Sequence, residues 1–374
     1  MVSIKEVSNL KELRQFVKFP FSLYKNDPYW VPPLIRDEFK TFRKGKNPSL
    51  AYMIVAYFLA CKDKKIVGRV AAIISPRANE RWNNKLTRFG WIEFIDDEEV
   101  SGALLQTVEE WGKQQGMEGV HGPLGFTDFD PEGMLVDGFE QVPTIINPYN
   151  KSYYGRHLEK YGYRKAADWL QYKFNASQAV PEKVKRINIL ICQKYKLEIP
   201  ILKSKKEILS RYAQKLFDTI NASFADLYGF VKLSQKEIDY YIKNYIAFVR
   251  PELVCFVVDE NDNVIGFGLS MPSLSKAFQK AKGHLFPFGF IHILKALHKY
   301  DTLDLYFNGV LPEWQHRGVH SLYYVAMNEL YIKHKIKTAI SSQQLEENIN
   351  AVGIWDNYEK EFFSRRRCYI KNII

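Results

Sequence analysis

Residues 303–320 have the residue types and spacing of an anion-binding site. The segment reads LDLYFNGVLPEWQHRGVH: an apolar strand-like run ends at Leu311, a short turn follows, and a helix is predicted to begin near Gly318. Backbone N–H groups at such a junction point outward without partners, and the helix dipole adds a partial positive charge. Glycine lets a ligand approach the backbone closely. The segment therefore predicts a binding site for a pyrophosphate group.

A second candidate is an acidic loop that follows a predicted strand beginning at Val120. Its carboxylates, Asp128, Asp130 and Glu132, lie between glycines, and three negative charges together suit a cationic amine. The pattern is also typical of turns, because Asp-Pro and Glu-Gly sequences favour turns and aspartate binds local N–H groups. Both interpretations stay open. The ligand spacing of a calcium-binding loop is not met, and no metal site is indicated.

Proton transfer at such a site needs a base. Asp304 is one candidate, because strand alternation places its side chain on the same face as Tyr306 and Asn308. Residues 273–292, which lie between two predicted strands, add aromatic side chains that either line an apolar tunnel or form ordinary core. Three histidines in or near this insert are further candidate bases or plain surface residues, with His292 preferred over the other two: His284, His292 and His298.

The composition is that of a folded, water-soluble protein. The 374 residues are 46% hydrophobic and 25% charged, unlike a disordered chain, and the length allows two domains. Four scattered cysteines indicate neither a disulfide framework nor a zinc site. No apolar stretch approaches the length of a bilayer span, so the sequence predicts a cytoplasmic protein.

The chain is basic, with 53 Lys and Arg against 42 Asp and Glu and a net charge of +11. This balance favours anionic partners such as nucleic acid, a membrane surface or a phosphorylated cofactor, although a solvated basic surface is the simpler interpretation. No zinc-finger, basic-zipper or RNA-binding signature accompanies the basic groups. Nucleic acid therefore stays open as a partner but is not favoured.

The predicted elements occur twice in the same order. Each half is predicted to begin with helical sequence and to continue with a hairpin, a further strand, a helix, a strand, another helix and a last strand. In the first half, a proline- and aromatic-rich arm over residues 19–39 follows the helical start. Two short resemblances at nearly equal offsets support a duplication: residues 66–68 with 264–266, and 158–160 with 358–360. The predicted division is a first domain over 1–175, a connecting segment over 176–205 and a second domain over 206–374.

The second half is predicted to close with a helix over 348–361 and a strand from Arg365 to Ile370. In the first half, the residues after the strand that ends at Phe94 are acidic, from Asp96 to Glu99. Four carboxylates repel a phosphate. The sequence therefore predicts that the first half has no anion site equivalent to the one near Gly318.

The motif near Gly318 resembles that of the GCN5-related N-acetyltransferase superfamily, Gln/Arg-x-x-Gly-x-Gly/Ala after a valine-containing strand. Gln315-x-x-Gly318 matches the pattern, and His320 stands where the family has a small residue. The resemblance runs over nearly the whole chain and implies two tandem acetyltransferase-like domains of the α/β class, each a mixed, mostly antiparallel sheet flanked by helices. It also implies that acetyl-CoA or another acyl-CoA binds at these residues: Val310, Leu311, Gln315, His316, Arg317, Gly318, Val319 and His320.

A second family pattern places a tyrosine, which protonates the departing thiolate, after an Asn-x-x-Ala helix. Asn348 and Ala351 fit that spacing, but Trp355 takes the tyrosine position and an indole cannot donate in this way. Tyr358, one turn further on the same face, is the predicted substitute. The resemblance also suggests that residues 365–367, three arginines, contact the 3′-phosphate of CoA, with a solvated strand end as the alternative.

These observations predict an acyl-CoA-dependent N-acyltransferase. Its acceptor would be a small-molecule or peptide amine held between the two domains, with Asp304, His292 and Tyr358 as candidate catalytic groups. Two alternatives stay open: a CoA- or metabolite-binding protein that has lost catalysis, and a tRNA-associated aminoacyl or acyl transferase.

Overall fold

The computed structural model describes residues 1–348 and 359–374. In the first half, the helices and strands are β1 (Ser3–Glu6), α1 (Leu10–Leu23), α2 (Ile35–Thr41), β2 (Ile54–Lys62), β3 (Lys65–Ile74), α3 (Pro76–Arg81), β4 (Leu86–Phe94), α4 (Glu98–Gln114), β5 (Gly119–Gly122), β6 (Met134–Asp137), α5 (Tyr153–Lys160) and β7 (Arg164–Asn175).

In the second half they are α6 (Glu182–Tyr195), α7 (Lys205–Glu207), α8 (Ala213–Ser223), α9 (Gln235–Tyr245), β8 (Val254–Val258), β9 (Val264–Pro272), α10 (Ser275–Ala281), α11 (Gly289–His298), β10 (Thr302–Val310), α12 (Val319–Lys333), β11 (Thr338–Ile340), β12 (Gln344–Leu345) and β13 (Lys360–Asn372). A π-helical turn, Ile208–Tyr212, joins α7 to α8.

The two halves repeat one arrangement of strands and helices. In the first, β2, β3 and β4 are antiparallel neighbours, and β4 pairs in parallel with β5 after the crossover helix α4. In the second, β8, β9 and β10 are antiparallel, and β10 pairs in parallel with β11 after α12. The predicted tandem α/β fold, with mixed and mostly antiparallel sheets flanked by helices, is confirmed.

The last strands of the two halves are exchanged. Along the sheet the order is β1-β2-β3-β4-β5-β13-β7-β11-β10-β9-β8, so β13 lies beside β5 of the first half and β7 lies beside β11 of the second. The two exchanged strands pair with each other in the middle, from Lys360 opposite Phe174 to Ile370 opposite Arg164. The predicted domain limits stay a prediction, because each sequence half completes the sheet of the other.

Amphipathic helices explain where the cores lie. On α4, Val100, Leu104 and Val108 are buried against the first part of the sheet. On α12, Leu322, Tyr323 and Met327 pack in the same way on the second part. A third core lies between the sheet and the pair α8–α9, and this core contains the cavity described below.

Several predicted segments differ from the structure. The connecting segment 176–205 contains α6, and the insert at 273–292 contains α10 and the start of α11. The prediction of helix up to residue 361 is wrong at its end, because Lys360 and Glu361 begin β13, where alternate side chains pack on the sheet. Residues 349–358 lie outside the described residues. Among the described helices, none combines the length and apolar character that crossing a membrane requires.

Candidate active site

A cavity of about 440 Å³ lies where the two halves meet. The first half contributes the acidic loop around Asp128 and Glu132, together with Trp169 of β7. The second half contributes side chains of α8 and α9, the inner face of β8–β10, and the turn at Gln315 and His316. The cavity thus joins the predicted phosphate site to the predicted amine site, which are far apart in sequence, and its volume lies in the roughly 300–1,000 Å³ range of small-molecule sites.

The turn from Gln315 to His320 presents free backbone donors. The N–H groups of His316, Arg317 and Gly318 donate no hydrogen bond to any described residue. His316 and Gly318 have positive φ angles, 62° and 80°, and Gly318 is the N-cap of α12. Consecutive free N–H groups at a helix N-terminus are the geometry that binds a pyrophosphate.

One edge of β10 is open beside this turn. The parallel pairing with β11 covers Thr302–Asp304, and no described strand pairs with that edge of β10 beyond Asp304. The N–H of Leu311 donates to the carbonyl of Ile265 at 2.9 Å on the opposite edge. Because backbone groups alternate between the two edges, the N–H of Val310 faces the open edge. Of the two predicted strand donors, Val310 is therefore free, whereas Leu311 is used within the sheet.

Helix α6 forms a wall of the turn that sequence reasoning missed. Its Ile191 side chain lies 2.6 Å from the position that a Cβ on Gly318 would take. The Asn188 side chain donates to the Ser321 carbonyl at 3.0 Å, which fixes α6 against the start of α12. The backbone conformation of Gly318 favours glycine, and a Cβ there would also displace the end of the Ile191 side chain.

The middle of the cavity is apolar and aromatic. Phe129 of the acidic loop stacks on Tyr241 of α9 at 4.4 Å and contacts Phe307 of β10 at 4.7 Å between ring centroids. From there an apolar arm of the cavity runs between α8–α9 and the sheet. Its lining includes Leu216, Ile220, Ile242, Tyr245, Ile246, Val249, Val254, Phe256 and Leu269. Such a lining suits a hydrocarbon chain.

Asp128 and Glu132 form a partly buried carboxyl pair at the polar end. Burial, and then the charge of Asp128, raises the pKa of Glu132 well above its ordinary value. Burial also raises the pKa of Asp128, while the nearby Arg88 cation and a hydrogen bond from Glu132 oppose this rise. Burial thus favours the protonated form of both carboxyls, while Arg88 and the hydrogen bond from Glu132 favour the charged form of Asp128. The pair can bind a cation and accept a proton.

The third predicted carboxylate, Asp130, has a structural partner. Its Oδ2 accepts the N–H groups of Phe126 and Thr127, both at 3.0 Å, and so closes the acidic loop. Burial raises its pKa to about 7. Asp130 also lines the cavity. The turn interpretation thus holds for Asp130, and the binding interpretation of the loop stays a prediction.

A neutral histidine lies behind the carboxyl pair. Burial and the charge of Arg88 lower the pKa of His121 to about 3. Its Nδ1 is 3.1 Å from the Tyr228 hydroxyl, and Tyr228 lines the cavity. Arg88 donates to the carbonyls of Gly125 and Gly229. The sequence carries no local signal for this group, because its members come from β4, β5 and the loop after α8.

Asp304 is buried beside the cavity, and Tyr306 lines it. Neither the carboxylate oxygens of Asp304 nor the Tyr306 hydroxyl have a hydrogen-bond partner among the described residues. The predicted strict alternation along this strand is wrong, because a bulge between Leu305 and Phe307 shifts the register. The bulge allows Phe307 as well as Tyr306 and Asn308 to line the cavity.

The buried Asp304 carboxyl predicts a pH effect on stability. Burial raises its pKa to about 7, against about 3.9 in an unfolded chain. The fold favours the protonated form, so stability is lost as the pH rises between these values. At about pH 8 we expect Asp304→Asn to exceed the parent in unfolding free energy by up to roughly 4 kcal/mol, a gain absent near pH 4. Urea unfolding at both pH values measures it, and a gain independent of pH would contradict the assignment.

Comparisons with known proteins identify the fold. A tandem GNAT protein from the clavulanic acid biosynthesis pathway superposes with a TM-score of 0.57 and 9% identity, over 100% of this chain and 99% of that one. A GCN5-related N-acetyltransferase from Sphaerobacter thermophilus gives 0.52 and 9%, over 100% and 96%. The chain has a tandem GCN5-related N-acetyltransferase fold. The predicted resemblance is thereby confirmed for the fold, and no protein family model matches the chain.

Two curated proteins also resemble this tandem-fold chain in sequence. Protein YghO of Escherichia coli K12 is 26% identical over 376 aligned residues, which cover 99% of this chain and 95% of that protein. The bacterial ceramide synthase of Caulobacter vibrioides is 27% identical over 301 residues, 79% of this chain and 76% of that protein.

Within the tandem fold, His320 is the residue that departs from the motif, and it lines the cavity. Burial lowers its pKa, so the ring is neutral at neutral pH and adds bulk without attracting a phosphate. We expect His320→Ala to tighten CoA binding roughly tenfold, about 1.4 kcal/mol. Calorimetric titration with CoA measures this, with the exposed His298→Ala as control. Weaker binding by the variant would show that the imidazole itself contacts the ligand.

Of the remaining predicted residues, Gln315 lines the cavity, whereas the side chains of His292, Arg317 and Val319 do not. His292 lies half-buried on α11 and is not among the residues that line the cavity. Tyr358 lies outside the described residues. Val319 of α12 is buried in the core of the second half. The Arg317 side chain packs over the Trp314 ring at 5.0 Å. Gln315 lines the cavity near the Val310 carbonyl.

The arginine run at 365–367 is used within the fold. Arg365 and Arg367 pair with Asp168 at 2.9 and 2.8 Å. Arg366 is buried and donates to the carbonyls of Glu132 and Gly133. These contacts do not support the suggested role in binding a 3′-phosphate. They hold the exchanged strand β13 in place and support the acidic loop.

The first half shows why its equivalent turn is unsuited to an anion. The side chain of Asp97 caps α4 by accepting the N–H of Glu99 at 2.9 Å. Lys62 neutralises Asp97 and Glu99 from the hairpin. The helix start is thus already occupied by a carboxylate of the chain itself, which supports the prediction that this half binds no CoA.

Proposed function

We propose that the protein is an acyl-CoA-dependent N-acyltransferase whose acceptor is a long-chain amine, such as a long-chain amino alcohol. One observation carries the proposal: a single cavity connects the free N–H groups of the 315–320 turn with the Asp128–Glu132 pair and continues into the apolar arm. The turn suits a pyrophosphate, the carboxyl pair suits an ammonium group, and the arm suits an alkyl chain.

The residues at the turn fit an acyl-CoA. His316, Arg317 and Gly318 offer three free N–H groups for the pyrophosphate, and the open edge at Val310 offers a donor for the pantetheine amides. Acyl-CoA would supply an acyl group activated as a thioester. The strand and turn then need to bind and orient it, which raises the effective concentration of the reacting groups.

The acceptor's length is argued from the apolar arm and from one relative. The arm is enclosed by α8, α9 and β8–β10, and a short polar amine would leave most of its lining without contact. A ceramide is the amide of a fatty acid and a long-chain amino alcohol, so the name of the Caulobacter vibrioides relative supports this acceptor class. The amine would lie between the two halves with its chain in the arm.

The carboxyl pair would prepare the amine. An alkylamine is protonated at neutral pH and must lose a proton before it can attack a thioester. Asp128, whose charged form the Arg88 cation and the hydrogen bond from Glu132 favour, would bind the ammonium and accept its proton. The unpartnered hydroxyl of Tyr306 is available to hydrogen-bond the reacting groups.

The test is a direct assay of the purified full-length chain. Palmitoyl-CoA and sphinganine are incubated with the protein, thiol release is followed with a chromogenic reagent, and the amide is identified by mass spectrometry. We expect amide formation with sphinganine and at least tenfold slower reaction with ethanolamine. CoA binding without thiol release for any amine, the tRNA-bound aminoacyl group included, would contradict the proposal and leave a binding protein.

A further inference from the structure

The segment from Ser273 to Tyr300, which forms α10 and α11, has an exposed apolar surface. Phe286 and Phe288 in the loop between the helices are 73% and 68% exposed. Three side chains of α11 extend this surface, and together the five form the docking patch: Phe286, Phe288, Phe290, Ile291 and Leu294. Contiguous exposed apolar side chains of this kind mark an interaction site in a water-soluble protein.

Helix α11 is apolar on two sides. Its inner residues Ile293 and Leu297 are buried against α10 and the N-terminal arm, where Val31 and Leu34 lie. The outer residues Ile291 and Leu294 are about half exposed. A single buried face is enough to hold a helix on a protein, so the outer face is available to another partner.

The charge of the segment identifies that partner. Residues 273–300 contain five lysines, three histidines and no aspartate or glutamate, so this short segment carries a charge of +5 with neutral histidines. None of the five lysines forms an ion pair with a described residue, and all are exposed: Lys276, Lys280, Lys282, Lys295 and Lys299. Apolar and aromatic side chains surrounded by unpaired lysines match the surface of an anionic lipid bilayer.

We propose that the docking patch binds the surface of an anionic lipid bilayer. Phe286 and Phe288 would enter the interface between headgroups and acyl chains, while the lysines contact anionic headgroups. A second copy of the chain would fit less well, because two patches of the same positive charge would face each other.

The patch also adjoins the apolar arm of the cavity. Val249 lines the arm, the neighbouring Phe248 packs against the core of α10–α11, and Arg250 donates to the Leu297 carbonyl at 2.6 Å. Docking would therefore place the arm close to membrane lipid. Delivery of a lipid amine to the cavity rests on the proposed function, whereas binding to the bilayer does not.

Vesicle flotation tests the docking with the full chain and no CoA. We expect binding to phosphatidylcholine vesicles that contain phosphatidylglycerol, at least tenfold weaker binding to phosphatidylcholine alone, and weaker binding as salt rises. The double variant Phe286→Ser and Phe288→Ser should bind the phosphatidylglycerol-containing vesicles at least tenfold more weakly than the parent. A matched pair of exposed apolar residues elsewhere, Leu190→Ser with Ile201→Ser, should bind like the parent.

Three outcomes would overturn the proposal. Unchanged binding of the phenylalanine variant would exclude the patch, and loss of binding by the Leu190 and Ile201 variant would place the contact elsewhere. A parent dimer that the phenylalanine variant converts to a monomer would identify a second copy as the partner. If that variant fails to fold, Lys295→Glu with Lys299→Glu applies the same test through charge. A CoA thermal shift retained by either variant separates this result from failure of the proposed function.

Discussion

Replacing Gly318 by glutamate is expected to abolish CoA binding. The residue has a φ of 80°, and its Cβ would lie 2.6 Å from the Ile191 side chain of α6. The new carboxylate would also face the free N–H groups that are proposed to bind the pyrophosphate. In a thermal-shift titration, a ligand at about 100 times its Kd adds roughly 2.7 kcal/mol of stability. We expect this shift for the parent and none for Gly318→Glu.

Gly45→Glu is the matched control. Gly45 has a φ of 76°, and no atom lies within 4 Å of the position that a Cβ would take there. The backbone strain is therefore similar, while the 315–320 turn is untouched. We expect Gly45→Glu to lose stability without CoA but to keep the full CoA shift. A normal CoA shift in Gly318→Glu would remove the turn from the proposed site.

The second large effect is expected at the carboxyl pair. Asp128→Asn combined with Glu132→Gln keeps the shapes of both side chains and removes the base, so acyl transfer should fall about a hundredfold or more. Burial raises the pKa of Asp128. As the pH decreases, the parent's rate should therefore begin to fall at a pH above the ordinary titration range of aspartate. The double variant should lack this acidic limb. Steady-state rates across the pH range measure both effects.

The control here is Glu140→Gln, an exposed acid of the first half. We expect this variant to keep the parent's rate and pH profile. The double variant should keep the CoA thermal shift, since the pair lies at the other end of the cavity. Parent-like transfer by the double variant would exclude the pair as the base and leave Tyr306 or His121 with Tyr228 as the groups to test.

Sequence periodicity was sufficient to predict most elements of the sheet. The hairpin of β2 and β3 follows from two apolar, β-branched runs around residues 62–65, and the start of α4 follows from the acidic residues after Phe94. The turn at Gln315–His320 is equally local, because strand, turn and helix are contiguous. Local signals of this kind predict local structure well.

Long-range arrangement was not predictable in the same way. The exchange of β7 and β13 leaves each strand's own pattern unchanged, because either neighbour buries the same face. The three arginines of β13 are charged, and from sequence alone charged side chains are expected to face solvent. Arg366 is nevertheless fully buried, and it donates to carbonyl groups from another part of the chain. The group of Arg88, His121 and Tyr228 depends on the same kind of distant contact.

The candidate site also combines local features, which the sequence predicts, with long-range contacts, which it does not. The turn at residues 315–320 and the acidic loop are visible in the sequence as motifs, but their meeting in one cavity is not. The apolar arm is made by ordinary helix faces, whose residues have the spacing of core positions. The wall made by Ile191 was also hidden, since α6 lies in a segment that the sequence suggested was a connection.

The strand exchange affects how the chain can fold during synthesis. The edge of β5 pairs with Tyr369–Asn372, which a ribosome adds long after β5. Until then, β5 in the first half has an unpaired edge. In the same way, β7 lacks its neighbour β11 until that strand has been synthesised. Such non-local pairing slows folding and exposes strand edges to wrong partners. The two halves are therefore expected to fold as one cooperative unit after synthesis, so neither half expressed alone should give a stable domain.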